Sequence, residues 1–107
     1  MNYKVKTTNV FDRQAKRLIK KFPSLKNELQ NLISQLKIDP TKGTSIGNDC
    51  YKIRLAIASK GKGKSGGARV ITHVLFTGET VYLLSIYDKT DIENLSDKEV
   101  VELIKKI

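Results

Sequence analysis

The stretch CYKIRLAI, residues 50–57, marks the point where the chain changes from a helical period to a period of two. Apolar side chains occupy every second position from Tyr51 onward, and Lys52 and Arg54 lie between them. Because successive side chains of a strand point to opposite faces of a sheet, this alternation predicts a strand with one buried face and one cationic face. The helices, strands and loops predicted for the flanking segments are described below starting from this strand.

Two further strands follow it along the chain. Residues 69–77 and residues 80–87 are both rich in β-branched and apolar side chains. The Gly78-Glu79 pair between them predicts a two-residue hairpin turn. Upstream, the segment KGKGKSGGA, residues 60–68, predicts a flexible basic loop. These features together indicate an antiparallel sheet.

The N-terminal part of the chain begins with a short strand and a helix. Residues 3–7 alternate and predict a strand at the edge of the sheet. An apolar stripe with helical spacing follows, with Asn9 as the predicted N-cap and Pro23 as the stop signal. The stripe consists of Phe11, Ala15, Leu18, Ile19 and Phe22.

A second helical stripe comes immediately after the first. Ser24 is its predicted cap, and Asp39-Pro40 ends it. Because the join between the stripes is short, the two helices should pack antiparallel. Residues 41–49, which contain two glycines, are predicted to form a loop. The stripe consists of Leu25, Leu29, Leu32, Ile33 and Leu36.

The chain closes with a third helix. Ser96 and Glu99 have the spacing of a capping box, in which each side chain binds the backbone N–H of the other. The apolar stripe behind this box consists of Val100, Val101, Ile104 and Ile107. The element order is therefore β-α-α-β-β-β-α, an α+β fold with a small antiparallel sheet, two N-terminal helices and a C-terminal helix. We expect residues 1–107 to form a single domain.

The charge of the chain is unevenly distributed. There are 20 Lys and Arg residues against 11 Asp and Glu, which gives a net charge of +9. Residues 79–107 nevertheless carry four basic and seven acidic residues, so the cationic character belongs to the first three quarters of the chain. Such a charge favours polyanionic partners. An anion-binding surface should therefore lie away from the C-terminal helix.

The cysteine content and the length of the apolar runs bear on the compartment. One cysteine cannot form an intramolecular disulfide or a multi-cysteine zinc site. The longest apolar run covers only a few residues, and the N-terminus has no apolar segment of the kind found in signal peptides. We therefore expect a cytoplasmic protein without a membrane partner.

Gly63-Lys64-Ser65 resembles the end of a phosphate-binding loop. The full motif requires a glycine five residues before Gly63, where this chain has Ala58. Such a loop also leads into a helix, whereas this segment leads into the strand that begins at Arg69. The sequence therefore argues against nucleotide hydrolysis.

Metal-dependent and thiol chemistry are also disfavoured. His73 is the only histidine, so the mixed ligand set of a catalytic zinc site is hard to assemble. The acidic residues between Asp88 and Glu102 are better explained as the solvated start of a helix. Cys50, at the beginning of a strand, is predicted to be a packing residue rather than half of a nucleophilic pair with His73. We expect neither a metal nor a cofactor.

The basic residues of the central region offer a more specific candidate site. No acidic residue lies between Lys52 and Arg69, and the fold would bring the cations of this segment to one end of a hairpin. Such a cluster is suited to holding phosphate oxygens and to neutralising charge that develops during phosphoryl transfer. The alternative is that the loop is merely flexible and solvent-facing. The cluster consists of Lys52, Arg54, Lys60, Lys62, Lys64 and Arg69.

Tyr87 and Lys89 lie at the end of the last strand, where both could reach the same surface. Tyr87 is either an ordinary strand aromatic or a side chain that stacks on a base or orients a ribose hydroxyl. His73 is a further candidate for RNA contact.

The chain resembles the RelE/HigB-type toxins of bacterial toxin–antitoxin modules, within the RelE/ParE superfamily. Residues 49–55, DCYKIRL, resemble the central strand of that family. Residues 66–71, GGARVI, resemble its glycine–arginine strand entry, and residues 83–89, LLSIYDK, its last strand with the following basic residue. The long Lys-Gly-rich insert is most similar to a HigB-type subgroup. The likeness covers nearly the whole chain.

The resemblance also suggests which residues form the site. Lys52 and Arg54 match the family's basic pair, and Arg69 matches its third-strand arginine. Lys89 stands where the family often has arginine. Leu95 occupies the region of the family's C-terminal tyrosine, so Tyr87 is the candidate to replace that tyrosine.

The resemblance implies a metal-free endoribonuclease that cleaves mRNA, typically in the ribosomal A site, and that a cognate antitoxin protein silences. Under this interpretation Lys52 is the candidate base, while Arg54 and Arg69 hold the phosphate. Lys89 or Tyr87 lies near the leaving group or the base. The expected partners are the antitoxin, mRNA and the ribosome with its rRNA.

Two other functions are compatible with the same fold. ParE-type toxins of this superfamily inhibit DNA gyrase and are not nucleases. The conjunction of Lys52, Arg54 and Arg69 favours a nuclease, because a gyrase-binding protein does not need a phosphate-binding pocket. The second alternative is a basic RNA-binding module without catalytic activity.

Overall fold

One five-stranded sheet with helices on both faces forms the core of the computed structural model, which describes residues 2–61, 66–92 and 94–107. The strands are β1 (Lys4–Thr7), β2 (Thr44–Gly47), β3 (Cys50–Leu55), β4 (Ala68–Leu75) and β5 (Thr80–Asp88). The helices are α1 (Asn9–Lys21), α2 (Leu25–Ile38) and α3 (Asp97–Ile104). The predicted α+β class and the positions of the three helices are confirmed.

The strands lie in the order β1-β5-β4-β3-β2. From β2 to β5 every neighbouring pair is antiparallel. The antiparallel arrangement was predicted for β3, β4 and β5. β1, however, runs parallel to β5, with Val5 opposite Val81. No hairpin joins these two strands, because α1, α2 and the rest of the sheet lie between them in the chain. Their relative direction is therefore set by how the helices return the chain to the sheet.

Residues 44–47 form the strand β2, although residues 41–49 were predicted to be a loop. Asn48 and Asp49 both adopt positive φ, 55° and 56°, and make a tight turn between Gly47 and Cys50. Two central residues with positive φ suit the twist of a hairpin. The prediction missed this strand because Ile46 is the only large apolar side chain in it.

The hairpin between β4 and β5 has a longer connection than predicted. Leu75 pairs with Thr80, so Phe76 to Glu79 form a four-residue turn rather than the two-residue turn expected from Gly78-Glu79. Glu79 adopts a φ of 47°. The backbone N–H of Gly78 donates to the carbonyl oxygen of Leu75 at 3.2 Å, which closes the first part of the turn.

Thr8, rather than Asn9, caps α1. Its hydroxyl oxygen accepts a hydrogen bond from the backbone N–H of Phe11 at 3.2 Å. The same hydroxyl donates to the carbonyl oxygen of Leu83 at 3.1 Å. Thr8 therefore lies between the end of β1 and the start of α1, and its hydroxyl links this junction to β5. Asn9 is an exposed residue inside the first helical turn.

The role of Thr8 leads to a stability prediction. The substitution Thr8→Ala should lower the free energy of unfolding by about 1–2 kcal/mol, because it removes both the cap and the bond to β5. Asn9→Ala is the matched control and should have an effect below about 0.5 kcal/mol. Urea unfolding of both variants measures the difference. Equal losses would contradict the assignment of Thr8 as the cap.

The two faces of the sheet are covered unequally. α1 and α2 pack on one face and build the larger core, with the fully buried Leu25, Leu36, Val70 and Leu83 among its members. α3 covers part of the other face, over a smaller cluster. That cluster contains Cys50, Ile71, Leu84, Tyr87 and Val100.

The predicted capping box is present in α3: the Ser96 hydroxyl accepts from the N–H of Glu99, and the Glu99 carboxylate accepts from the N–H of Ser96. α3 is only eight residues long. The part of the sheet face that it leaves open contains the candidate site.

Candidate active site

The register of the three central strands brings the predicted cations together. Arg54 on β3 lies directly opposite Arg69 on β4, and Arg69 lies opposite Tyr87 on β5. Directly opposed residues have Cβ atoms roughly 4.5–5.5 Å apart. Like charges on directly opposed residues are destabilising, so the pairing of Arg54 with Arg69 lowers the stability of the sheet. An anionic ligand between the two arginines would relieve this repulsion.

A cavity of about 170 Å³ lies over this part of the sheet. Its lining contains four of the five residues predicted to be catalytic, and none of the lining residues within the described part of the chain is acidic. The lining residues are Lys52, Arg54, Arg69, Lys89 and Asn94. The predicted alternation of β3 explains this arrangement, since Lys52 and Arg54 point to the face opposite the buried Ile53.

Asn94 is the lining residue that sequence reasoning missed. Its side-chain oxygen accepts a hydrogen bond from Lys52 Nζ at 3.0 Å. Asn94 lies in the segment that leads from β5 to α3, 42 positions from Lys52 in the chain. A single exposed asparagine in a connecting segment has no distinguishing sequence signal. The contact of Asn94 with Lys52 follows from the path of this segment in the tertiary structure, which brings Asn94 to the candidate site.

The two arginines differ in their surroundings. Arg69 is only 3% exposed, and its Nη1 donates to the carbonyl oxygen of Ala68 at 3.1 Å. Arg54 is exposed. The structure thus combines a guanidinium held in place by packing with one that is free to adjust to a ligand. An arginine guanidinium is planar and can bind two phosphate oxygens at once.

Tyr87 lies beneath the cavity rather than in its lining. It is 4% exposed and packs with Cys50, Ile71 and Leu84 in the smaller core cluster. Burial raises the pKa of the Tyr87 hydroxyl, against the opposing effects of the Arg69 guanidinium and the Leu95 backbone. A buried ring cannot stack on a base, and a raised pKa does not suit a general base at neutral pH. The structure therefore supports the interpretation of Tyr87 as an ordinary strand aromatic.

Lys60, predicted to contact RNA, forms an ion pair with Asp88 Oδ1. The same oxygen accepts hydrogen bonds from the backbone N–H and the hydroxyl of Thr90, at 3.0 and 2.9 Å. Burial of Asp88 acts to raise the pKa of its carboxyl group, but the bonds from Lys60 and Thr90 outweigh it, so the pKa is lowered. Lys60 therefore anchors the end of the loop to β5. Lys62 and Lys64 lie outside the described residues.

His73 is not part of the cavity lining. It lies opposite Cys50 on β3, with its Nδ1 3.4 Å from the Cys50 sulfur. It is four residues from Arg69 along β4, a distance of about 13 Å. Burial, with a further contribution from Asp49, raises the pKa of the Cys50 thiol to about 11. Cys50 is therefore a buried thiol, as its prediction as a packing residue implied.

Within residues 2–61, 66–92 and 94–107, no three His, Cys, Asp or Glu side chains come close enough to hold a metal ion together. None of the helices in these ranges is both long and apolar enough to span a membrane.

The fold and the site define a small basic α+β protein with a cation-lined cavity on the open face of its sheet. Residues 3–107 match the family described as the RelE toxin of the RelE/RelB toxin–antitoxin system. The chain belongs to the RelE toxin family and is a toxin of the toxin–antitoxin type.

Solved structures show the same fold. A mutant of the Escherichia coli toxin RelE in the free state is 19% identical and superimposes with a TM-score of 0.63, covering 100% of this chain and 99% of that one. The isolated E. coli RelE toxin is 18% identical, with a TM-score of 0.54 and coverage of 98% and 99%.

Proposed function

We propose that this protein is an endoribonuclease that cleaves mRNA in the ribosomal A site without a metal ion and thereby inhibits translation. The observation that carries the proposal is the cavity over β3, β4 and β5, whose described lining residues include four cations and one amide. A lining of this composition matches a phosphodiester, which presents two non-bridging oxygens and develops further negative charge during transfer.

The reaction we propose is attack by a ribose 2′-hydroxyl on the adjacent phosphate, with departure of the 5′-oxygen. Arg54 and Arg69 would hold the non-bridging oxygens and stabilise the charge that develops on them. Lys52 is the candidate to take the proton of the attacking hydroxyl, in the orientation set by its bond to Asn94. Lys89 would supply the proton that the departing oxygen needs. The scissile phosphate would thus lie between the two arginines.

The composition of the cavity also supports dependence on the ribosome. Among residues 2–61, 66–92 and 94–107, its lining holds no histidine and no carboxylate, the side chains that most often act in acid–base catalysis. The alignment of the reacting groups must then supply much of the rate of RNA cleavage. Fixing the 2′-hydroxyl in line with the leaving oxygen contributes strongly to such reactions. A ribosome that holds the mRNA in this bent form would supply that geometry.

The experiment that tests the proposal is primer extension on mRNA in a purified translation system. Wild-type protein should produce cuts within codons when ribosomes are present, and free mRNA should be cut far more slowly. A supercoiling assay with DNA gyrase is run in parallel. Intact mRNA together with inhibited supercoiling would overturn the proposal in favour of a ParE-like function.

As a toxin of this family, the protein should bind a cognate antitoxin, and its charge indicates the chemistry of that partner. An acidic or amphipathic segment would complement a surface with a net charge of +9. We expect a small protein encoded beside this gene to co-purify with the chain and to suppress its cleavage of mRNA. Separate elution of the two co-expressed proteins at low salt would contradict this prediction.

A further inference from the structure

Two larger depressions adjoin the candidate active site and share residues with it. The first, of about 340 Å³, shares Lys52 and Arg54 with the catalytic cavity. The second, of about 360 Å³, shares Lys42 and Arg54 with the first. Arg54 lines all three. The two larger depressions continue from the candidate active-site cavity across the edge of the sheet to α2. We call these two depressions together the edge groove.

The shape of the edge groove follows from the short length of β2. This strand pairs with β3 only from Cys50 to Lys52. Among the residues described, no strand pairs with the outer edge of β3 beyond that point. Gly43 is the residue immediately before β2, and a Cβ atom at this position would lie 2.6 Å from the carbonyl oxygen of Lys52. Gly43 therefore lets the backbone pass close to β3 and leaves the edge beyond it open.

The described lining of the edge groove combines cationic and amide side chains with apolar side chains of Leu32, Ile53, Leu55 and Ala56. Lys42, Lys52 and Arg54 provide three positive charges. At the far end α2 provides two exposed amide side chains, Asn31 and Gln35. These groups combine charges for phosphate oxygens with donors and acceptors for base edges.

Glu28, the one carboxylate among the described lining residues, is already engaged. Its two oxygens accept from the Ser24 hydroxyl at 3.2 Å and from the backbone N–H of Ala58 at 2.7 Å. Glu28 therefore serves to hold α2 against the segment after β3, and part of its charge is taken up by these bonds. The cations dominate the electrostatics of the edge groove.

We propose that the edge groove binds the single-stranded RNA nucleotides that flank the scissile phosphate on one side. Lys42 would contact the next backbone phosphate, and Asn31 and Gln35 would contact the edge of an unstacked base. This inference rests on the proposed function, because it takes the cavity to hold the scissile phosphate. The occupant is RNA rather than an apolar peptide, because three cations and two amides accompany the apolar side chains of the lining, and the cationic part is continuous with the cavity.

The test measures the affinity for labelled oligoribonucleotides of two and five nucleotides by fluorescence anisotropy. The ribose at the cleavage position lacks its 2′-hydroxyl, so the RNA stays intact. The wild-type protein should bind the longer RNA at least about tenfold more tightly, because additional phosphate and base contacts form. Lys42→Ala and Gln35→Ala should each reduce this advantage about fivefold and leave the two-nucleotide affinity unchanged.

Two substitutions elsewhere on the surface are the matched controls. Gln30→Ala removes an exposed glutamine of α2 that does not line the edge groove, and Lys6→Ala removes an exposed lysine from β1, at the opposite edge of the sheet. Both should keep the advantage of the longer RNA. The salt dependence provides a second readout: Lys42→Ala should reduce the slope of log affinity against log salt by about 0.7, the value for one phosphate on a single strand.

The outcomes separate this inference from the proposed function. Equal affinities for the two RNAs, or groove variants that bind like the controls, would overturn the edge groove even if the wild-type protein cuts mRNA. Loss of antitoxin binding but not of RNA binding in the groove variants would also overturn it. Length-dependent RNA binding that needs Lys42 and Gln35, in a protein that cuts no mRNA, would support the edge groove and refute the nuclease.

Discussion

The substitution Arg54→Ala is expected to lower ribosome-dependent mRNA cleavage by about 100- to 1,000-fold, which is the usual effect of removing one group that stabilises charge in a transition state. Arg54 lines the cavity between Lys52 and Arg69. Its loss would leave the phosphate with one guanidinium instead of two. The effect should fall on the rate of the chemical step measured under single-turnover conditions.

Stability should not change in the same direction. Arg54 is exposed and lies directly opposite Arg69, so its removal relieves a repulsion between like charges. We expect the free energy of unfolding to stay within about 0.5 kcal/mol of the wild-type value or to rise slightly. A large loss of activity without a loss of stability would separate a catalytic role from a structural one.

Arg17→Ala is the matched control for this prediction. Arg17 is an exposed arginine of α1 and does not line the cavity, so the variant has the same net charge as Arg54→Ala. Equal losses in both variants would show that the effect comes from total charge. Cleavage by Arg54→Ala within about twofold of wild type would remove Arg54 from the mechanism.

Arg69 tests the same site with a different variant. Because Arg69 is almost fully buried, alanine at this position would remove packing as well as charge. Arg69→Lys keeps a positive charge and loses the planar fork. We expect strong loss of cleavage in Arg69→Ala and partial retention in Arg69→Lys, provided that both variants are measured at a temperature where they are folded.

The second large effect is expected from Lys60→Met, which should lower the free energy of unfolding by about 3 kcal/mol at pH 7. The Lys60 and Asp88 side chains are only 10% and 1% exposed. Removing one partner of a buried ion pair leaves an uncompensated charge, which typically costs 3–5 kcal/mol. Asp88 Oδ2 already has no hydrogen-bond partner among the described residues. The carboxylate that remains would keep only its bonds to Thr90.

The pH dependence provides an independent check. The pKa of Asp88 is lowered in the folded protein, so the stability that Asp88 contributes is present above its unfolded value, about 3.9, and is lost as the pH falls through the folded value. The difference between wild type and Lys60→Met should therefore be largest above about pH 5 and should shrink toward pH 3. Urea unfolding at several pH values measures this difference.

Lys37→Met provides the control, because Lys37 is an exposed lysine of α2 and its loss should have little effect on stability. The same variants decide between two roles for Lys60. If Lys60 binds RNA directly, Lys60→Met will weaken RNA binding and leave stability unchanged. Such a result would contradict its assignment as the anchor of the loop.

Much of the candidate site could be predicted from the sequence because its strands have a simple period. The alternation in residues 50–57 places Lys52 and Arg54 on the same face whatever the rest of the chain does. The capping box at Ser96 is likewise a local signal, and the structure confirms it. Tyr87 was ambiguous, because an aromatic side chain near the end of a strand suits either a buried or an exposed position.

The errors have a common origin in contacts that lie outside any local pattern. Thr8 is the cap of α1 in part because β5 lies within reach of its hydroxyl, which a window around residues 8–12 does not show. The parallel pairing of β1 with β5 and the strand β2 depend on how the chain returns to the sheet. Their sequences contain few apolar residues, so local propensity is a weak guide there.

The sequence by itself determined the fold class and placed Lys52 and Arg54 on one face, because periodicity, turn residues and charge are local properties, and its resemblance to RelE/HigB-type toxins indicated the family. Only the tertiary structure decided which polar groups meet. Lys60 pairs with Asp88, 28 positions away in the sequence, and Lys52 donates a hydrogen bond to Asn94, 42 positions away. Such pairs depend on strand register and on the path of the connections between elements. The sequence therefore shows which charged side chains are present. Strand register and the path of the connections determine whether each side chain can reach a ligand or pairs with another residue of the chain.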